Sequence, residues 1–188
     1  MHNEFFKQKQ IAVIIITLIL LCSCLSNYVY AGSISEQKNV LVINSYHQGL
    51  TWSKDETSGI IDVLKQSNNN LSIYVEYMDW KNYPTDENKL HLFGYYKYKY
   101  QNEHIEVLIV TDDVALEFAL ENRKSLFSNA PIAFCGVNQN GMDDIVNGQA
   151  DFTGVLEEVD PTNTMKMALQ INPSLKTVYV LFDNSKSG

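Results

Sequence analysis

The chain has 188 residues, 45% hydrophobic and 11% aromatic, enough for one folded domain or one and a fraction and too apolar for a disordered segment. Its formal charge is −8, and because Glu4, Lys7 and Lys9 leave residues 1–31 at +1, the remainder carries −9. That balance excludes an electrostatic footprint for nucleic acid or for anionic lipid headgroups.

Lys7 and Lys9 precede the apolar run Ile11–Leu25. Its fifteen residues sit at the upper limit of a signal-peptide core and below the usual span of a membrane helix. Three outcomes fit residues 1–31. Val29-Tyr30-Ala31 before Gly32 forms a small-residue cleavage site. Leu21-Cys22-Ser23-Cys24 resembles a lipobox with Cys24 as the lipidated residue. The segment also suits an uncleaved anchor with Tyr28 and Tyr30 at the interface. All three predict an extracytoplasmic, exported chain, attached to the cell membrane through this segment in two of them. Beyond it only Cys135 remains, so no intramolecular disulfide is available there. His47, His91 and His104 fall on different elements, and neither a metal site nor any other cofactor is expected.

Residues 32–39 read as a polar linker. Val40–Asn44 is a β-branched run expected to form a buried strand. Ser53 with Glu56 three residues on reads as a capping box opening a helix, with Ile60, Ile61 and Leu64 as its stripe and Asn68-Asn69-Asn70 as its end. Leu71–Tyr77 alternates as a strand does, and Pro84-Thr85 opens a second helix. Glu106–Thr111 is the third strand, followed by a helix from Asp113 to about Asn122. Ile132–Cys135 is the fourth strand, Met142–Val146 a short helix, and Phe152–Leu156 the fifth strand. Asp160-Pro161 supplies an acidic cap and a first-turn proline for the next helix, which Asn172-Pro173 stops. Thr177–Phe182 is read as a sixth strand. This alternation predicts an α/β fold, a Rossmann-like parallel sheet with helices on both faces. The domain organisation expected is residues 40–174 as a first lobe and 175–188 as the start of a second one, in a longer protein.

Each apolar run ends in a polar or aromatic cluster, and open parallel sheets bind ligands beyond the carboxyl ends of their strands. The candidate ligand contacts follow from that rule. Ser45, Tyr46 and His47 lie after the first strand, and Asp79 after the second. Asp112 and Asp113 follow the third, one read as a helix cap and the other as an acceptor for a ligand ammonium or hydroxyl. Gly136 and Asn138 end the fourth strand, Gly136 permitting close backbone approach. Gly154 and Glu157 accompany the fifth as hinge and contact. Cys135 with His47 and Asp113 can be drawn as a nucleophile set, but the strand end lacks the glycine-flanked elbow of such nucleophiles, and no enzymatic activity is expected.

The series VLVINSYHQGLTW, YVEYMDWKNYP, IVTDDVALEFALENRKSLF, PIAFCGVN, FTGVLEEVDPTNT and VYVLFDNSKSG, running from Asn39 to Gly188, resembles the ABC-transporter substrate-binding family. It is most similar to the subset forming extracytoplasmic sensor domains of membrane histidine kinases and diguanylate cyclases. The resemblance implies the first lobe of a type I periplasmic-binding-protein-like fold, with a small-molecule ligand held between two hinged lobes. The partners it implies are an ABC permease or a fused signalling output domain.

Overall fold

Leu41, Val42 and Ile43 are wholly buried because the strand that carries them, β1 (Lys38–Asn44), has a parallel neighbour on each side. The structure, a computed structural model, describes residues 7, 13–21, 37–67, 70–138 and 151–181. The chain divides into two compact units, Met1–Glu36 and Gln37–Gly188. In the first, residues 13–21 are helical, and their apolar side chains, Val13 to Ile16 and Leu18 to Leu21, are exposed. Among the described residues no helix is long and apolar enough to cross a membrane. The cleavage-site motif, Cys22 to Cys24, the expected helix Met142–Val146 and residues 182–188, which end the quoted motif series, lie outside the described residues.

In the second unit β1 is followed by α1 (Thr51–Gln66), β2 (Leu71–Tyr77), α2 (Asp86–Lys99), β3 (Ile105–Thr111), α3 (Asp112–Leu126), β4 (Ile132–Asn138), β5 (Phe152–Glu157) and α4 (Pro161–Ile171). The sheet order is β2-β1-β3-β4-β5, and every pair is parallel. The expected α/β sheet flanked by helices is therefore what forms. The strand order reverses between β1 and β3, which makes their carboxyl ends the topological switch point.

The two faces of the sheet differ in chemistry. Leu41 and Ile43 lie in register with Leu108 and Val110, and these with Ile132 and Phe134. This row forms the apolar core with Tyr96 and Tyr100, at the end of α2, and Val114, Ala115, Phe118 and Ala119 of α3. Glu76 of β2 enters this side almost fully buried, and it is neutralised there. The Lys99 ammonium donates to its Oε1, and the Tyr100 hydroxyl donates to the same oxygen at 2.6 Å. The opposite face carries Val40, Val42 and Asn44 of β1 under α1, whose buried residues are the polar Ser53 and Thr57.

Several boundaries depart from expectation for identifiable reasons. β1 begins at Lys38, two residues inside the stretch read as a linker, because Lys38 and Asn39 pair with Leu71 and Ser72 and the Lys38 N–H donates to Asn70 O. β4 runs on to Asn138 and α3 to Leu126. The capping box is a misreading. Helix α1 starts at Thr51 with Leu50 as its cap residue, so Ser53 and Glu56 lie inside the helix and face the sheet. Thr85 and Asp160 do cap as expected, accepting from the N–H groups of Asn88 and Asn163. The sixth strand is absent from residues 177–181. Val178 to Leu181 are exposed, without the neighbouring ladder that a strand requires, and α4 has no buried residue.

Gly154 stands mid-strand in β5, in register with Phe134, and not at the carboxyl edge expected of a hinge or ligand contact. A β-carbon there would stand 2.3 Å from Phe134 O and 2.4 Å from its ring, which stacks on Phe152 at 4.7 Å between centroids. Gly154→Ala is expected to destabilise the fold by about 1–3 kcal/mol through overpacking, measured by chemical denaturation.

Candidate functional site

The polar residues of the switch point are assembled by strand register. Asn44 of β1 pairs with Thr111 of β3, and Thr111 with Cys135 of β4, so one polar row crosses three adjacent strands on the α1 side. Trp52 and Glu56, one helical turn apart on α1, stand above its end. Beyond the row, β4 breaks register against β5 between Phe134 and Val137, and Gly136 takes φ +66° at the irregularity. Such an irregularity re-aims a strand end. Here it brings Asn138 level with Glu157 at the tip of β5.

The centre of the site is the position beside Gly136, which a Glu56 carboxylate oxygen fills where any other residue would place a side chain. A β-carbon at residue 136 would lie 2.5 Å from Glu56 Oε1, 3.3 Å from Asp112 Oδ1 and 3.5 Å from the Asp112 backbone N. Two carboxyl groups from different helices thus converge on one point. Asp112 reaches it from a left-handed backbone, φ +65°, while 95% buried. That conformation is uncommon outside glycine and clusters at functional sites. Trp52 Nε1 donates to Asp112 Oδ1 at 3.1 Å, and the Thr111 hydroxyl donates to Oδ2 at 3.3 Å. The indole of Trp52 is otherwise exposed.

Among the described residues, no lysine, arginine or histidine forms an ion pair with Glu56, Asp112, Asp113 or Glu157. The electrostatics follow from that arrangement. Burial, reinforced by the charge of Asp112, pushes the Glu56 carboxyl up to about 7, against hydrogen bonding from Thr111 and Asn44. Burial likewise raises Asp112 to about 6, with Asp113 and Glu157 adding repulsion and Trp52 and Thr111 opposing it. Desolvation and the same two carboxylates, Glu56 and Asp112, push the Cys135 thiol up to about 11, so at neutral pH it is a protonated, weak nucleophile. On the sheet-facing side of α1, the buried Ser53 Oγ and Thr57 Oγ1 have no hydrogen-bond partner among the described residues. Native structures hold few such atoms, and each calls for an explanation.

The predicted contacts divide into those that meet at this point and those that hold the elements around it. Asp112 and Gly136 meet there, and Glu157, exposed at the tip of β5, contributes charge to it. Asp113 neither caps α3 nor faces this point. Its carboxylate accepts from Asn138 N at 3.1 Å and Asn138 Nδ2 at 2.6 Å, locking the end of β4 to α3. Ser45 is fully buried, donating to Thr111 O at 2.7 Å and accepting from Ala115 N at 2.8 Å, and so satisfies the start of α3 from a neighbouring strand. Tyr46 is nearly buried, with its N–H on Asn44 Oδ1 and Lys81 Nζ 5.1 Å from its ring centroid. His47 and Asp79 shape turns: His47 O accepts from Leu50 N, and Asp79 accepts from Asn82 through both its backbone O and its carboxylate. Gly154 lies away from it, in the body of β5.

Glu56, Asn44 and Thr111 were not among the expected contacts. Glu56 was masked by its resemblance to a capping residue. The signal that identifies it is the i, i+4 pairing of Trp52 with Glu56 at the start of a helix that follows the central strand. Among the described residues there is no group of three or more metal-ligating side chains.

Two outcomes test this construction. Ser45→Ala is expected to cost about 1–3 kcal/mol in denaturant unfolding, because it strands the Ala115 N–H and removes a donor from Thr111 O. The raised Glu56 value means the folded chain keeps a proton that the unfolded chain has lost. This contribution to stability therefore falls as pH rises from about 4.5 to about 7 and is flat above. Glu56→Gln is expected to remove that slope and to stabilise the unliganded protein at pH 8 by ~1–2 kcal/mol after discounting for partial exposure, read from melting curves across pH.

In comparisons with known proteins, the chain matches no family model, no curated protein and no solved structure.

Proposed function

We propose that the chain is a lobe of an extracytoplasmic small-molecule-binding module of the ABC-transporter substrate-binding type, the first lobe of a type I periplasmic-binding-protein-like fold. The observation that carries this reading is the convergence of two buried carboxyl groups, Glu56 and Asp112, without an ion-pair partner among the described residues, at the topological switch point of a parallel sheet. A built polar site at a switch point is where α/β sheets bind ligands. The motif series quoted from the sequence supports the family, and the basic-then-apolar leader supports export.

On this proposal, the strand-end edge is one jaw and a second lobe supplies the other. Ligand contacts made only in the closed state shift the open–closed equilibrium. The closed state then either presents solute to an ABC permease or serves as sensory input to a histidine kinase or diguanylate cyclase output domain. Catalysis by an exported α/β enzyme is the weaker reading, because the strand-end thiol of Cys135 is pushed away from the thiolate.

The test is a thermal-shift and calorimetric screen of the complete two-lobed protein against amino acids, sugars, amines, dicarboxylates and nucleosides. At least one class is expected to bind saturably, with affinity reduced tenfold or more by Asp112→Asn or by Trp52→Ala. No binding by any class, or binding that neither variant alters, would overturn the assignment.

A further inference from the structure

The first turns of α1 are held by few contacts. The helix begins at Thr51, and its cap residue, Leu50, makes no side-chain capping bond. Its buried residues are Ser53 and Thr57, whose hydroxyls have no partner among the described residues, while Ile60, Ile61 and Leu64 are half-buried. By contrast, α3 buries Val114, Ala115, Leu116, Phe118 and Ala119. Two ties hold the start of α1 to the strand ends. One is the Trp52 N–H on Asp112 Oδ1, and the other is the Glu56 carboxyl, set beside Gly136 and hydrogen-bonded by Thr111 and Asn44. We propose that the second tie is a proton-operated latch: the uncharged Glu56 carboxyl holds α1 on the strand ends, and loss of its proton releases the first two turns of the helix, Trp52 with them.

The neighbours of Glu56 explain why its charged form loosens the contact. Asp112, at the start of α3, brings Oδ1 to within 3.3 Å of the position that a β-carbon at 136 would take, against 2.5 Å for Glu56 Oε1. Asp113 stands behind it, Glu157 lies at the tip of β5, and β4 contributes the Cys135 thiol, protonated at neutral pH. β1 and β3 bring Asn44 and Thr111, and β2 brings Tyr77, in register with Asn44. On α1 itself Lys54 and Asp55 are exposed, and none of the described lysines, arginines or histidines forms an ion pair with Glu56. Two carboxylates facing one point without a cation repel, and ionising a half-buried one adds a desolvation cost. Lifting the start of α1 relieves both at a small loss of apolar burial, because its fully buried contacts with the sheet are polar.

The direction follows from linkage. With the latch closed, Glu56 keeps its proton up to about 7, and once released into water it returns to the ordinary value of 4.5. Closure is therefore favoured most below about 4.5, weakens as pH rises between these values, and is weakest above about 7. Because Trp52 and Glu56 stand at the switch point, release alters the surface that the strand ends present. The latch belongs to the lobe itself and its test involves no ligand, so it stands or falls apart from the binding function proposed above.

The experiment is acrylamide quenching of tryptophan fluorescence between pH 5.5 and pH 8 in the full chain carrying Trp80→Phe, which leaves Trp52 as its one tryptophan. Quenching of Trp52 is expected to rise about twofold toward pH 8 while the far-ultraviolet circular dichroism of the folded chain is retained. Glu56→Gln, which keeps the shape and hydrogen-bonding capacity of the uncharged carboxyl, is expected to hold the low value throughout. Asp112→Asn, which leaves an acceptor for the Trp52 N–H but removes the neighbouring charge, is expected to shrink the rise. Equal quenching at both pH values overturns the proposal, as does a full rise in Glu56→Gln. A rise accompanied by loss of the far-ultraviolet signal also overturns it, because the whole fold and not α1 alone is then opening. Should Glu56→Gln fail to fold, the Asp112→Asn arm decides: a rise of undiminished size removes the latch.

Discussion

The Ser45 hydroxyl is the junction on which the site depends. It joins the last turn of the central strand to the first turn of α3, donating to Thr111 O and accepting from Ala115 N. A helix start leaves four N–H groups without intrahelical partners. Here Ser45 adds a bond from the neighbouring strand to the N–H of Ala115 at the end of that first turn, while the helix's own cap residue, Thr111, makes no side-chain capping bond. That frees Asp112 and Asp113 from capping. Asp113 turns to hold the end of β4 through Asn138, and Asp112 turns, in a left-handed conformation, toward Glu56. Carboxylates at a helix N-terminus are favoured by the dipole, which helps explain how Asp112 is kept there despite its burial.

Much of the fold was legible because parallel strands and their helices carry strong periodic signals. Leu71–Tyr77 and the caps at Thr85 and Asp160 stand as the sequence suggests, for local reasons that no tertiary contact overrides. The errors come from non-local pairing. Lys38 and Asn39 look like linker residues until β2 recruits them into its ladder, and Thr177–Leu181 looks like a strand but has no ladder to join. At the site, the strand-end rule named Asp112 and Gly136, which meet Glu56 at the switch point, and also Ser45, which bonds to Thr111 O and Ala115 N, and Gly154, which packs on Phe134 within β5. Glu56 escaped it because the site draws on a helix packed over the strands as well as on the strand ends. No rule about carboxyl ends points at a residue six positions inside a helix.

Register does the rest of the assembly. Asn44, Thr111 and Cys135 are distant in sequence and become one row only because β1, β3 and β4 pair without slippage at that level. The break at Gly136 then ends the row and lifts the tip of β5, so that Glu157 adds its charge to the pair. A larger residue at 136 meets a positive φ and a carboxylate oxygen together, which ties the backbone irregularity and the close approach of Glu56 to the same glycine.

Glu76 and Glu56 form an internal comparison. Both are glutamates drawn into the fold at the level of the sheet, one on each face. Glu76 lies under α2 with a lysine and a tyrosine hydroxyl brought to it, and the core closes over the set. Glu56 lies under no such escort, although Lys54 and Lys65 occupy the same helix. The same chain therefore answers a sequestered acid with a lysine on one side and with a retained proton on the other. One face closes its acid into an ion pair and a hydrogen bond, and the other keeps its acid with the proton that burial holds on it up to about pH 7. The two faces of one sheet therefore differ in how they answer a change of acidity.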